Sequence, residues 1–318
     1  MSAFPNSTVL TSTYKTVDSH PILIDTVIPD GLGPGTHPLI VNYHGGFLIT
    51  GSRNYAPFLA PWIPAYAASR SAILVSPDYR LLPEATGVDI VADLKDSWSW
   101  IQTRLNELLA QHGGGHQVDL SKILVLGASA GGYCALQVGL NLPGEVKACM
   151  PIYPVLDYHG EFFSKGPGKL GLRLSGNPAS AYDEKKIDEH LAKMEAGVVV
   201  SAAGDEVRNQ LAGAIVFHGR INEFMGNERE CFPFLRVEDG AKLPEKVWII
   251  HGYEDSAVPV EGSKKFVKLA EERCPESQVR LTVRPGEHGF DAGAKLDDEW
   301  LKEGLEWLEI SWLGERQP

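Results

Sequence analysis

The chain has 318 residues, 43% of them hydrophobic and 22% charged, with a formal net charge of −12. That length can bury a sizeable core, in one large α/β domain or two ordinary ones. The acidic balance argues against a nucleic-acid or anionic-membrane partner, because both require clustered Lys and Arg.

The first residues, Met1 to Thr8, contain neither a basic region nor an apolar run, which predicts no signal peptide. Asn6-Ser7-Thr8 matches a glycosylation acceptor, a pattern without meaning in the absence of secretion. β-branched and apolar runs predict strands at 8–17, 22–28, 39–43 and 72–76, the first two forming an antiparallel entry to a sheet. Gly31-Leu32-Gly33-Pro34-Gly35 between them lacks a dinucleotide-binding context and reads as a loop. A helical pattern at 88–111, apolar every three or four positions, stops at Gly113-Gly114-Gly115. Strands follow at 122–126, 147–153, 246–251 and 279–284, and helices at 130–142, 262–273 and 297–311. The strands between 39 and 251 are nearly continuous apolar runs, the signature of strands covered on both faces. Their alternation with helices predicts a doubly wound, mostly parallel, eight-stranded sheet in three layers. Residues 156–243 break the rhythm: a Gly/Lys-rich piece at 164–171, an amphipathic helix near 183–195, then Phe217, Phe224, Phe232 and Phe234. A structureless insert of that length is implausible in a compact domain. The segment therefore reads as a helical cap inserted between core segments 1–155 and 244–318, or as sheet-covering helices joined by long loops.

No apolar run approaches the roughly 18 residues of a membrane span. The C-terminal Glu315-Arg316-Gln317-Pro318 is not a peroxisomal or ER address. Cys134, Cys149, Cys231 and Cys274 are scattered, with neither zinc-ligand nor disulfide-framework spacing, so they are expected as free thiols in the cytoplasm. The histidines show no ligand spacing, so no metal is expected.

Gly127-Ala128-Ser129-Ala130-Gly131 matches G-x-S-x-G between a predicted strand and a predicted helix, the setting of a nucleophile elbow. His44-Gly45-Gly46-Phe47 follows another strand. There, the backbone N–H groups of Gly45, Gly46 and Phe47, with that of Ala130 after the serine, are candidates for an oxyanion hole. His44 precedes the serine and reads as a loop-ordering residue. The base and acid of an elbow serine follow it in the order acid, then histidine. His288 comes just after the last strand, and Asp255 just after the strand at 246–251. His288 can take the serine proton, while Asp255 orients the ring and stabilises the imidazolium. Glu254 is adjacent and chemically competent, so it stands as the alternative acid. His251 precedes the acid and ends a strand, which disfavours it as base.

These motifs resemble the hormone-sensitive-lipase-like carboxylesterases, the fold-3 branch of the α/β-hydrolases. The matching residues are His44-Gly45-Gly46, Asp78-Tyr79-Arg80-Leu81-Leu82-Pro83-Glu84, the Ser129 elbow, Asp255 with Val258-Pro259, and His288-Gly289-Phe290. The resemblance implies an α/β-hydrolase fold with an inserted cap and a cofactor-free serine hydrolase of small or medium acyl esters. It also implies structural ion pairs at Arg80 and Glu84. Phe47 stands where the family commonly has a third glycine and is expected to shape the acyl site. The few residues before the first strand leave 156–243 as the expected main lid, and long-chain lipase activity is not expected. The expected partner is a small-molecule ester or acyl substrate, with no stable membrane insertion and with a homodimer as the candidate assembly. Amide or thioester hydrolysis, and acyl transfer or cyclisation in a biosynthetic pathway, use the same machinery and stay open. A non-catalytic receptor on this fold would typically lose a triad member, and Ser129, Asp255 and His288 are all present.

Overall fold

The structure of the protein, a computed structural model, describes residues 3–314. Met1 and Ser2, and the C-terminal 315–318 read above for a targeting address, lie outside them. The strands are β1 (Ser7–Val17), β2 (His20–Pro29), β3 (Gly35–Tyr43), β4 (Ile73–Pro77), β5 (His116–Ala128), β6 (Ala148–Ile152), β7 (Lys246–Gly252) and β8 (Gln278–Arg284). The helices are α1 (Trp62–Ser69), α2 (Gly87–His112), α3 (Ala130–Asn141), α4 (Glu161–Ser164), α5 (Lys185–Lys193), α6 (Glu206–Phe217), α7 (Ile221–Met225), α8 (Pro233–Glu238), α9 (Val260–Arg273) and α10 (Glu299–Trp312).

One sheet runs in the order β1-β2-β4-β3-β5-β6-β7-β8. β2 is antiparallel to both β1 and β4, forming the antiparallel entry, and every other pairing is parallel. Every residue of β4, β6 and β7 is buried, as their unbroken apolar runs predict. Alternate residues serve opposite faces. Leu39, Val41, Ile123 and Val125 pack beneath α2, α3 and α9, whereas Ile40, Leu124 and Leu126 meet α1 and α10. Each such side chain taken out of water contributes about 1.5–3 kcal/mol. α10 lies so close over β7 that a Cβ on Gly304 would come within 1.9 Å of the Trp248 ring.

Local chemistry sets the helix ends. Thr86 and Asp89 form a reciprocal capping box that starts α2. Gly113, Gly114 and Gly115, with φ of 91°, 78° and 70°, stop it in a conformation that costs glycine nothing.

Residues 156–243 form no strand of the sheet. Leu174, Ile187 and Leu211 from this segment bury into the same apolar cluster as α2, α3 and α9. Its later part lies on the sheet-covering helices: Tyr133 Oη donates to the Cys231 carbonyl at 2.8 Å, and Phe234 packs edge-on against Phe266 of α9. The four cysteines are buried free thiols. The ion pairs implied for the Tyr79–Glu84 block are present: Arg80 joins Asp89 and Asp93, and Glu84 joins Arg208 and His190. Among the described residues no helix is long and apolar enough to cross a membrane, and no cluster of side chains suits a metal ion.

Candidate active site

Parallel strands that share one direction deliver their C-terminal ends to one edge, and every candidate residue follows such an end. β3 leads into His44–Phe47, β5 into Ser129, β6 into Tyr153, β7 into Asp255 and β8 into His288.

Ser129 occupies the turn between β5 and α3 at φ 60°, ψ −120°, a strained conformation for a residue with a side chain. Four backbone hydrogen bonds hold it there. Ser129 N–H donates to the Ile152 carbonyl at 2.8 Å, and its own carbonyl accepts from Gly132, Tyr133 and Val155. The flanking glycines are required by close approach. A Cβ on Gly127 would lie 2.3 Å from the Gly131 carbonyl oxygen, and one on Gly131 would lie 2.0 Å from that of Tyr43.

His288 Nδ1–H donates to Asp255 Oδ2 at 2.8 Å. The other oxygen of that carboxylate, Oδ1, accepts the N–H groups of Ala257 and Val258 at 2.9 and 2.8 Å. Burial opposes the charge on Asp255, but the hydrogen bonds from His251 and His288 outweigh it and hold the carboxyl at about 2. Glu254 is exposed and points elsewhere, accepting the Gly286 N–H. Glu287 accepts from Ser256 N–H and Oγ–H, both at 2.9 Å. The two glutamates thus brace the loop after β8 against the loop after β7. Tyr153 packs edge-on against the His288 ring, centroids 4.6 Å apart. His251 sits inside the core: its Nδ1 meets Ser263 Oγ at 2.9 Å, and its Nε2 meets the Val258 carbonyl at 2.8 Å and lies 3.4 Å from Asp255 Oδ2.

The glycine loop lies directly over the serine: a Cβ on Gly45 would stand 3.4 Å from Ser129 Cβ. At φ +106°, Gly46 has no room for a side chain, since its Cβ would fall 2.0 Å from the Thr50 carbonyl oxygen. The Gly46 carbonyl accepts from Ile49 and Thr50 N–H at 2.9 and 3.0 Å, so the same trans peptide aims the Phe47 N–H the opposite way. Phe47 itself has φ 55°. As the first residue of α3, Ala130 carries an N–H that the helix cannot pair. His44 orders the loop: its Nδ1 meets the Gly45 carbonyl at 2.8 Å, and its ring stacks on Tyr79 at 4.3 Å. Burial, partly offset by that bond, lowers its pKa to about 4, so it stays neutral.

Ser129, His288, Gly45, Gly46 and Phe47 line one cavity of about 520 Å³. The individual residues of its remaining wall carry no mark in the sequence. Phe58 and Tyr153 come from the core, and Leu174, Asn177, Tyr182, Asn209, Gln210 and Gly213 come from the 156–243 segment.

A serine on a strand–turn–helix elbow and a histidine–carboxylate pair, set on the C-terminal edge of this sheet, define a site of the α/β-hydrolase type. Residues 40–169 match the family described as alpha/beta hydrolase fold. Probable carboxylesterase M8 of Phoma sp. is 31% identical over 307 residues, which cover 94% of this chain and 94% of that protein. Probable carboxylesterase clz11 of Cochliobolus lunatus is 35% identical over 191 residues, 59% of this chain and 86% of that protein. Non-reducing polyketide synthase Preu6 of Preussia isomera is 28% identical along 94% of this chain, a match to 15% of the synthase. The apo form of Thermogutta terrifontis esterase 2 superposes with a TM-score of 0.60 at 22% identity, covering 99% of this chain and 97% of that one. The chain belongs to the α/β-hydrolase family, in the hormone-sensitive-lipase-like branch that its own motifs resemble.

Proposed function

We propose that this carboxylic-ester hydrolase works through an acyl-enzyme on Ser129, with His288 as base and Asp255 as its orienting acid. The observation that carries the reading is the 2.8 Å His288–Asp255 bond beside the Ser129 elbow, with both Ser129 and His288 facing one cavity. Ser129 Oγ attacks the ester carbonyl as His288 Nε2 takes its proton. The N–H groups of Gly46, Phe47 and Ala130, with Gly45, receive the oxyanion. The tetrahedral adduct collapses, the alcohol leaves with the proton from His288, and a water attacks the acyl-enzyme by the reverse proton path to release the acid. No cofactor or metal is needed.

A cavity of this size, lined by the bulky Phe47 and Tyr182, supports a small or medium acyl group. In this proposal residues 1–155 and 244–318 are the hydrolase core and 156–243 the cap, whose lid role falls on the part that lines the cavity, from Leu174 to Gly213. Four buried thiols suit a cytoplasmic setting. The assembly in this proposal is a homodimer, for which the outer edges of β1 and β8 offer unpaired strands. Light scattering should return twice the 34.7 kDa chain mass, and a single chain mass removes that part.

A series of p-nitrophenyl esters from acetate to octanoate tests the reading. Turnover should favour the shorter chains, and no turnover of any ester overturns it. A second reading, thioester cleavage or acyl transfer in a biosynthetic pathway, draws support from the similarity to part of a non-reducing polyketide synthase. Acyl thioesters turned over faster than the matching esters would favour it.

A further inference from the structure

The loop that carries the candidate oxyanion donors does not support itself. Phe47 and Leu48 both have positive φ, 55° and 64°. Side chains resist that conformation, so two such residues in sequence persist only when their surroundings impose it. Part of those surroundings is the core, where Leu82 N–H donates to the Leu48 carbonyl at 2.8 Å, and part is the cap.

Arg208, in the first turn of α6, is buried and reaches across to the core. Its Nε–H donates to the Ile49 carbonyl at 2.6 Å. Its two Nη groups form a fork on Glu84, at 2.8 and 2.6 Å, and Nη2 also donates to the Leu82 carbonyl. His190 of α5 takes the same carboxylate at 2.8 Å. Both ions of the Arg208–Glu84 pair are nearly inaccessible, 7% and 5% exposed. A bidentate guanidinium in such a site has one orientation, and here that orientation aims Nε at Ile49. Ile49 in turn donates its N–H to the Gly46 carbonyl, the bond that sets the Gly46–Phe47 peptide. On the far side of the loop, Thr50 Oγ1 lies 2.7 Å from the Ala203 carbonyl and 2.8 Å from Asn209 Oδ1. Gly51 and Ala203 pair their backbones in an isolated antiparallel bridge.

We infer that Arg208 is a positioning residue for the oxyanion loop: the Glu84-anchored guanidinium holds Ile49, and through it the Gly46–Phe47 peptide, in the geometry that receives the oxyanion. The cap is therefore the backing of the oxyanion hole as well as a wall of the substrate cavity. This inference rests on the proposed acyl-enzyme reading. It distinguishes roles within α6: Gln210 lines the cavity, Arg208 holds the loop, and Asn209 meets both.

The test compares wild type with Arg208→Lys. Lysine keeps a charge for Glu84 but lacks the planar fork that fixes a separate Nε donor on Ile49. The readouts are kcat and KM on p-nitrophenyl butyrate and the rate of Ser129 labelling by a fluorophosphonate. The expected result is a folded variant with kcat and labelling rate lower by roughly 10²-fold, the scale of a lost oxyanion donor, and KM within about threefold. Labelling within threefold of wild type, or a loss expressed in KM alone, overturns the inference. If Arg208→Lys does not fold, Glu84→Gln decides, because it disrupts the anchor that orients the guanidinium and leaves the loop's own residues intact. It breaks the bidentate fork and is expected to lower labelling about tenfold at unchanged KM, and labelling within twofold of wild type overturns the inference. Wild-type protein that does not label at all overturns the acyl-enzyme reading, and this inference falls with it. Wild-type labelling with an unaffected variant overturns this inference alone.

Discussion

Replacing Asp255 with Asn tests the acid in a way that the loop geometry makes specific. Asp255 Oδ1 faces two backbone donors, Ala257 and Val258 N–H. An amide NH2 cannot sit there, donor against donor, so the amide oxygen of the substituted side chain must take that position and its NH2 must face His288. His288 Nδ1 then becomes an acceptor, its proton moves to Nε2, and the ring presents a donor to the serine it should deprotonate. The imidazolium formed during attack also loses its counter-charge. Unit charges roughly 3–4 Å apart at an effective dielectric of about 20 attract by about 4–5 kcal/mol. At about 1.4 kcal/mol per decade this corresponds to a kcat loss on the order of 10³–10⁴. Steady-state turnover of p-nitrophenyl butyrate at pH 7.5 measures it, with Glu254→Gln as control. Glu254 only braces the Gly286 N–H, so its variant should stay within about tenfold of wild type. An Asp255→Asn enzyme within tenfold of wild type, or a Glu254→Gln enzyme more damaged than it, refutes the assignment.

Further outcomes follow from other parts of the molecule. Phe47→Gly relieves a positive φ and opens the cavity wall, so kcat/KM for the octanoate ester relative to acetate should rise roughly tenfold in a chain-length series. An unchanged ratio would show that Phe47 does not set acyl length. Gly131→Ala drives a methyl group against the Tyr43 carbonyl, 2.0 Å away, and should cost at least about 3 kcal/mol in urea unfolding; a loss under about 1 kcal/mol contradicts the packing. Two groups should also withdraw stability in acid, each in its own window. The folded pKa of His44 is lowered from 6.5 to about 4, so between those values the unfolded chain binds a proton that the folded chain refuses. The His44 contribution is full above pH 6.5 and falls by about 3 kcal/mol as the pH drops to 4. Asp255, lowered from 3.8 to about 2, removes about 2 kcal/mol more as the pH falls through that range. Burial raises the Asp78 carboxyl to about 6, which adds stability in the same window, so the His44 effect is read on its own ring by NMR titration: a His44 imidazole that titrates near 6.5 contradicts it.

The sheet was legible because strands covered on both faces leave an unmistakable mark, as Leu39–Tyr43 and Ile123–Leu126 do. All eight predicted strands appear, with ends shifted by a few residues. Five helices left weaker marks: α4, α7 and α8 have four to six residues each, too short to show a period, and α1 and α6 hide theirs. α1 is short and contains Pro64, and α6 mixes Asn209, Gly213 and β-branched Ile215 and Val216 while burying most of its surface, so no amphipathic stripe marks it. The candidate nucleophile and base were legible from motif order. The same order favours Asp255, with its neighbour Glu254 as the alternative, and the His288–Asp255 bond supports that reading. The residues of the cavity's far wall and Arg208 were not legible. Arg208 meets Glu84 across 124 positions of chain, and a lone arginine carries no local pattern that announces such a partner.

The central claim is that Ser129 is the acyl-accepting nucleophile of an ester hydrolase. Mass spectrometry of protein treated with a fluorophosphonate, run beside turnover of p-nitrophenyl butyrate, tests it most directly. The adduct should map to the peptide bearing Ser129 and abolish turnover, and Ser129→Ala should take no label and lose on the order of 10⁶ in kcat. Turnover that survives complete labelling, or a Ser129→Ala protein that still hydrolyses the ester near the wild-type rate, would contradict it.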